Sequence, residues 1–196
     1  MNSIFKSVGQ IPLIIAVLLT CSARAQEVPN WKFDNWSQFK VGTSATIKTT
    51  SKRDGKIWKE IKTTHKLLEK KDKEVVVEIT RVMQLHDERN KFPPSTTKNK
   101  YALKKTANPR FMENLDQPGG ARNAKLLGEG KEVIKISGKN YECKWTRKGF
   151  DIQGLQGVKG ERKVWTSDDV PGKKVKLIDK ILGSEEISEL VSITKK

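Results

Sequence analysis

Histidine and cysteine are almost missing from this chain, with two of each among 196 residues. Nucleophilic catalysis needs a nucleophile, a nearby base and a group that orients the base. Only His65 and His86 could serve as imidazole bases, and neither sits in a recognisable catalytic turn. Metal-ligand spacing is also absent, because two histidines 21 positions apart with no paired cysteines do not fit a structural or catalytic zinc pattern. Asp168-Asp169 reads as a solvated acidic pair beside a turn, with weak cation binding as the alternative. Gly128-Glu129-Gly130 and the glycines between 149 and 160 lack the Lys-Ser/Thr ending that a phosphate loop requires. These gaps predict that the chain is not an enzyme and carries no cofactor. A hydrolase would need His65 or His86 beside a carboxylate and a hydroxyl in one cleft.

Long apolar runs are equally scarce. The one continuous stretch, Ile11 to Leu19, is too short to span a hydrocarbon core. Lys6 precedes it, and Ala23-Arg24-Ala25 follows with small residues at the −3 and −1 positions of a cleavage site. This is the three-part layout of a secretory signal, with cleavage expected after Ala25; a buried core helix is the alternative. Leu18-Leu19-Thr20-Cys21 loosely matches a lipoprotein box, in which Cys21 would be lipidated, although Thr20 fits it poorly. The expectation is therefore an exported chain, periplasmic or extracellular, with a lipid-anchored envelope protein as the alternative. Residues 26–196 form one domain's worth of chain, 171 residues, enough to bury a core. If Cys21 leaves with the leader, Cys143 has no disulfide partner; its alternation with Tyr141 and Trp145 makes it a small apolar filler, and a reactive thiol the alternative.

Acidic residues are too few to balance the basic ones. Loss of Lys6 and Arg24 would take the formal charge only from +16 to +14. In an exported protein nucleic acid is a poor partner, and lipid head groups or an anionic envelope polymer fit better. Contact with a membrane would be peripheral at most. A lysine-rich surface that merely keeps the protein soluble accounts for the charge equally well.

Period-two alternation of β-branched residues is what the sequence has in quantity. Ala45, Ile47 and Thr49 alternate with polar residues, and Asp54-Gly55 turns the chain into a segment from Ile57 to Leu68. That segment carries both strand and helix periods; Thr63-Thr64 favours strand. Val75, Val77, Ile79, Met83 and Leu85 share a face of a third strand, completing an antiparallel meander, with Arg81 near the edge of that face. Residues 86–130 break the rhythm with Pro93-Pro94 and Gly119-Gly120, and are expected to form a long excursion over the sheet, with one short helix around Arg110 to Leu115. Strands resume at Glu132 to Ser137, Tyr141 to Arg147, Arg162 to Ser167, Val175 to Leu182 and Ile187 to Thr194. The glycines from 149 to 160 suggest a flexible connection, and Val170-Pro171-Gly172-Lys173 fits a type II turn. The fold class predicted is mainly β, with α+β as the alternative: one curved antiparallel sheet or half-barrel of about eight strands. Trp58, Trp145 and Trp165 on those strands would either line a pocket on the concave face or simply fill the core.

Four segments recur in a familiar order: Trp36-x-x-Phe39-Lys40-Val41-Gly42, a threonine-rich hairpin, Gly138-Lys139-x-x-x-Cys143-x-Trp145, and Trp165-x-Ser167-x-x-Val170-Pro171-Gly172. Over most of residues 26–196 this resembles a family of exported proteins of planctomycete-type bacteria. The strand layout is similar to the periplasmic lipoprotein-carrier superfamily, the LolA/LppX-like half-barrel. That resemblance implies a sheet curled around helices and, in the carriers, a cavity for acyl chains. The chain departs from the carriers in its low helix-forming content, so residues 86–130 would have to supply any lid. Together these observations predict a non-catalytic envelope protein that binds lipid or another amphiphile in a concave sheet. The alternative is an adhesion or scaffold domain that holds acidic polymers on a basic surface and has no cavity.

Overall fold

A computed structural model describes residues 27–86, 92–106, 121–155 and 157–196. The proposed leader, with Ala25 and Cys21, and the helix expected at 110–115 lie outside these residues. Among the described residues the fold is mainly β: a single open, curved antiparallel sheet of nine strands with one short helix. Among the described residues no helix is long and apolar enough to cross a membrane.

The chain enters through β1 (Glu27–Pro29) and α1 (Trp31–Trp36), then runs through β2 (Ser44–Arg53), β3 (Lys56–Lys71) and β4 (Glu74–Leu85). These three strands form the expected meander. Next come β5 (Ser95–Ala102), β6 (Lys104–Thr106) and the long β7 (Ala121–Ile136). The second set is β8 (Lys139–Ile152), β9 (Lys159–Thr166), β10 (Lys174–Ile181) and β11 (Ser184–Thr194). The order across the sheet is β5-β4-β3-β2-β11-β10-β9-β8-β7, while β1 and β6 pair separately. The first and last long strands therefore meet in the middle, with Ile47 opposite Leu190 and Ala45 opposite Ile193.

Three tight hairpins set the register. Asp54-Gly55, Ser137-Gly138 and Leu182-Gly183 each place two residues at positive φ, the geometry that matches strand twist. Pro171-Gly172 also turns as expected: Lys173 N–H donates to Val170 O at 2.8 Å and Gly172 sits at φ +81°.

The middle of the chain differs from the sequence reading. The excursion assigned to 86–130 contains both edge strands of the sheet, β5 and most of β7. They escape the alternation rule because an edge strand buries little, and Ser95–Ala102 is lysine- and threonine-rich and almost wholly exposed. The connection from 149 to 160 is also largely strand, since β8 runs to Ile152 and β9 starts at Lys159. Its glycines make room for aromatic and aliphatic side chains. A Cβ on Gly160 would lie 2.4 Å from the Phe150 ring, and one on Gly149 would lie 3.2 Å from Leu127.

Two clusters hold the sheet. Phe33, Trp36 and Phe39 pack on Leu67, Val75, Val77 and Ile79, so α1 covers one face of β2–β4. At the other side the sheet curls until the β7–β8 turn reaches β11, where Ser137 Oγ donates to Val191 O at 2.7 Å. Tyr141, Cys143, Trp165, Val175 and Leu190 fill that curl. Cys143 is 2% exposed, and burial pushes its thiol up, as suits the filler role.

Helix α1 is only six residues long and is fixed by its two asparagines. Asn30 caps it, accepting from Lys32 N–H at 3.2 Å, and its side-chain amide donates to Ala102 O at the end of β5. Asn35 is fully buried: its Nδ2 donates to Val170 O at 3.2 Å, and its Oδ1 accepts from Gly172 N–H at 2.5 Å. Replacing Asn35 with Ala would strand a buried donor and a buried acceptor. The expected loss is about 2–4 kcal/mol of unfolding free energy in urea titrations. A loss below about 0.5 kcal/mol, the range of an ordinary surface change, would show that the brace is dispensable.

Candidate functional site

Register places every second residue of each strand on the α1 face. On β3 and β4 these include His65 and, opposite Thr63, Arg81. On β2 and β11 they include Ile47 and Ser188; on β9 and β10, Arg162 and Leu177. Between these side chains and α1 lies a cavity of about 420 Å³, also lined by Trp31, Lys32, Trp36, Ile79, Tyr101, Lys174 and Glu186. Its volume falls in the range of small-molecule sites, roughly 300–1,000 Å³.

The cavity has an apolar part and a cationic part. Ile47, Ile79 and Leu177 form an aliphatic floor, and Trp31, Trp36 and Tyr101 form an aromatic wall. The Trp36 ring stacks on His65 with centroids 6.5 Å apart and planes 27° apart. Arg162 forks onto the Asp179 carboxylate, with Nε to Oδ1 at 2.6 Å. Glu186 accepts from Ser51 Oγ at 3.2 Å. Among the described residues, neither the Lys174 ammonium nor the Arg81 guanidinium has a carboxylate within ion-pair distance. Lys174 is half-buried, and its pKa is lowered by that burial and by the Arg162 charge, with Asp179 and Glu186 opposing. Burial, then the charges of Lys174, Arg81 and Lys32, push His65 down to about 4. The positive field inside the cavity is therefore not neutralised by the protein around it.

The three tryptophans singled out in the sequence lie elsewhere. Trp145 and Trp165 are directly paired across β8 and β9, on the face away from α1, with Lys163 Nζ 4.2 and 4.4 Å from the two rings. Trp165 is 5% exposed, donates its Nε1–H to Glu132 at 2.9 Å, and borders a cleft of about 680 Å³ inside the curl. Within that cleft Lys176 pairs with Glu189 at 2.6 Å. Trp145 lies flat over Gly130, where a Cβ would come within 3.0 Å of its ring. Trp58 stands exposed near the β2–β3 turn, with Arg53 and Lys59 against its ring. The tryptophans that do line the α1 cavity are Trp31 and Trp36, of which the sequence reading marked only Trp36, as the start of the Trp36-x-x-Phe39 segment.

The two histidines are not brought together. His86 Nε2 lies 3.6 Å from Glu60, whose other oxygen accepts from Thr50 Oγ1 at 3.4 Å and pairs with Lys48 at 2.6 Å. The carboxylate sits between hydroxyl and imidazole there, the reverse of the order that activates a nucleophile. Asp168 is occupied by Lys173 at 2.6 Å. No group of three or more potential metal ligands is found among the described residues.

No family model and no curated protein matches this sequence. Several solved structures are similar to it. A protein of Bacteroides fragilis assigned as exported, with a YmcC-like fold, is 10% identical over 80% of this chain and 97% of its own, with a TM-score of 0.47. A Parabacteroides distasonis protein assigned as a lipoprotein is 10% identical over 79% and 96%, with a TM-score of 0.45. A LolA superfamily protein of Nitrosomonas europaea is 10% identical over 86% and 94%, with a TM-score of 0.29.

The depressed His65 pKa fixes the sign of an acid effect. The imidazole is neutral when folded down to about pH 4 but takes up a proton near pH 6.5 when unfolded. Its stabilising contribution is complete above pH 6.5 and is lost as pH falls towards 4. Urea midpoints should drop across that window by the equivalent of up to about 3 kcal/mol. His65→Gln should remove most of the slope, and His86→Gln should not. An unchanged slope in His65→Gln would mean that His65 is not held neutral.

Proposed function

We propose that this chain is a non-catalytic, exported envelope protein that binds a lipid or another amphiphile in the cavity between α1 and the sheet. The observation that carries this reading is the division of one cavity into an aliphatic and aromatic part and a charged part. An amphiphile needs both, because burying its chain releases roughly 25 cal/mol per Å² while its head group must keep polar partners. A purely structural interior would have no use for Lys174 and Arg81 on the same walls as Ile47 and Leu177.

A second feature fits the same role. The turns at 54–55 and 182–183 and the described residues 153–155 and 157–158 gather at one end of the sheet, and Ile57, Trp58, Leu126, Leu127, Leu155 and Leu182 stand exposed in that region. Leu182 is 68% exposed at the tip of a turn, where a polar residue would cost nothing. Arg53, Lys56, Lys59, Lys125, Lys159 and Lys180 lie at this end, together with Asp54, Asp151, Glu161 and Glu185. Apolar tips beside a basic excess suit a transient landing on an anionic bilayer, each basic residue near the surface contributing about 1 kcal/mol.

Protein purified from its own envelope should carry a bound lipid mass in native mass spectrometry, which solvent extraction removes. A bare chain that instead elutes from heparin resin only at high salt would favour the alternative, a basic surface holding acidic polymers. The processed chain should also sediment with vesicles of phosphatidylglycerol and phosphatidylethanolamine. The double variant Leu155→Glu/Leu182→Glu should lose about tenfold or more in vesicle affinity with its melting temperature unchanged. Equal sedimentation of variant and parent would exclude this end of the sheet as the landing surface.

A further inference from the structure

Lys174, Arg81 and His65 come from β10, β4 and β3, and converge only because the sheet brings β4 and β10 to either side of the cavity. Both Lys174 and Arg81 lie close enough to His65 to act on its charge. A half-buried ammonium with no carboxylate partner is unfavourable in a folded protein, since desolvation is not offset by pairing. Of the nearby carboxylates, Asp179 is paired with Arg162, and Glu186, which accepts from Ser51, sets one negative charge against Lys32, Arg81, Arg162 and Lys174 on the cavity walls. The cavity is therefore complementary to a negative charge that the described part of the protein does not supply.

We infer that the cavity selects amphiphiles with an anionic head group, a carboxylate or a phosphate monoester, held by Lys174 and Arg81 while the hydrocarbon chain lies against Ile47, Ile79 and Leu177. This deepens the amphiphile reading above and rests on it. The head group would accept hydrogen bonds from the Lys174 ammonium and from the Arg81 guanidinium, charge-assisted contacts that gain strength in a desolvated pocket. The same oxygens would lie beside His65 and reverse the sign of the field around it. A cationic or zwitterionic head group would meet repulsion from the excess of cations on the walls, with Glu186 as the one carboxylate among the described lining residues to oppose it. The cavity thus reads the charge of a ligand with its rim and the presence of a chain with its floor.

The test uses the processed chain with four probes below their aggregation limits: tetradecanoate, tetradecanol, tetradecyltrimethylammonium and inorganic phosphate. Binding is followed by calorimetry and by the fluorescence of the native protein. Tetradecanoate should bind at least about tenfold more tightly than tetradecanol, and the ammonium probe should bind most weakly. Lys174→Met and Arg81→Gln should each weaken tetradecanoate by about tenfold and leave tetradecanol unchanged. Lys174→Met should also hold or raise the melting temperature, because it removes an unpaired charge; a lysine kept for structure would lower it. Arg81 is exposed, so its variant reports on binding even if the Lys174 variant folds poorly.

Equal affinity for tetradecanoate and tetradecanol would overturn the charge selection and leave the amphiphile reading standing. Phosphate binding as tightly as tetradecanoate would make this a site for free anions and overturn the head-group assignment. If neither chain-bearing probe binds, both readings fall together. Unchanged tetradecanoate affinity in both variants would sink the assignment of Lys174 and Arg81 alone.

Discussion

The amide of Asn35 is the constraint on which the rest depends. A six-residue helix is far too short to be stable alone, because helix nucleation outweighs the gain from so few bonds. Here α1 is held by side-chain hydrogen bonds at two places: Asn30 on the end of β5 and Asn35 on the turn between β9 and β10. Those attachment points lie far apart in the strand order, so the helix acts as a strut across the sheet. With the strut in place, Trp36 is fixed against His65 and against Phe39, and a roof stands over Ile47 and Leu177. Without it the cavity would be an open face. The same hydrogen bonds that stabilise the helix therefore define the volume that a ligand could occupy.

The curl at the β7–β11 side buries Tyr141, Cys143, Trp165 and Leu190 beside its own cleft, and carries ion pairs such as Arg147 with Glu161 at 2.7 Å. The α1 side keeps a void and retains charge beside it. Two buried clusters, one in the curl and one under α1, stabilise the fold and let it tolerate an unfavourable lysine. Sites that bind ligands commonly concentrate such local cost while the surrounding scaffold holds them in place.

The meander, the hairpin turns and the type II turn were legible in the sequence because alternation and Asp-Gly or Pro-Gly chemistry are local. The edge strands were not. Ser95–Ala102 has few apolar residues to alternate, and Ala121–Ile136 carries Gly128 and Gly130 where a strand would normally place larger side chains. Those glycines make sense only beside Trp145, which covers them from the neighbouring strand. Trp36 was visible within a recurring segment, yet the role of Trp31 and Trp36 as a cavity wall depends on contacts with residues 47, 65 and 177. The cationic set was invisible for a similar reason. Among 39 lysines and arginines, nothing in the order of residues separates Lys174 and Arg81 from the solvated majority. Only the register of β3 with β4, and of β9 with β10, turns them towards one point.

The pairing of β2 with β11 has a temporal consequence. Residues 44–53 and 184–194 are adjacent at the centre of the sheet yet lie at opposite ends of the chain. A polypeptide emerging amino-terminus first, from a ribosome or through a narrow translocation pore, can form the β2–β3–β4 meander early. That fragment keeps one long edge of β2 unpaired until the final eleven-residue strand arrives. Closure at the seam is a high-contact-order step, slow and all-or-none in character. The sheet consequently cannot close at its centre until β11 has been made and is free to pair with β2.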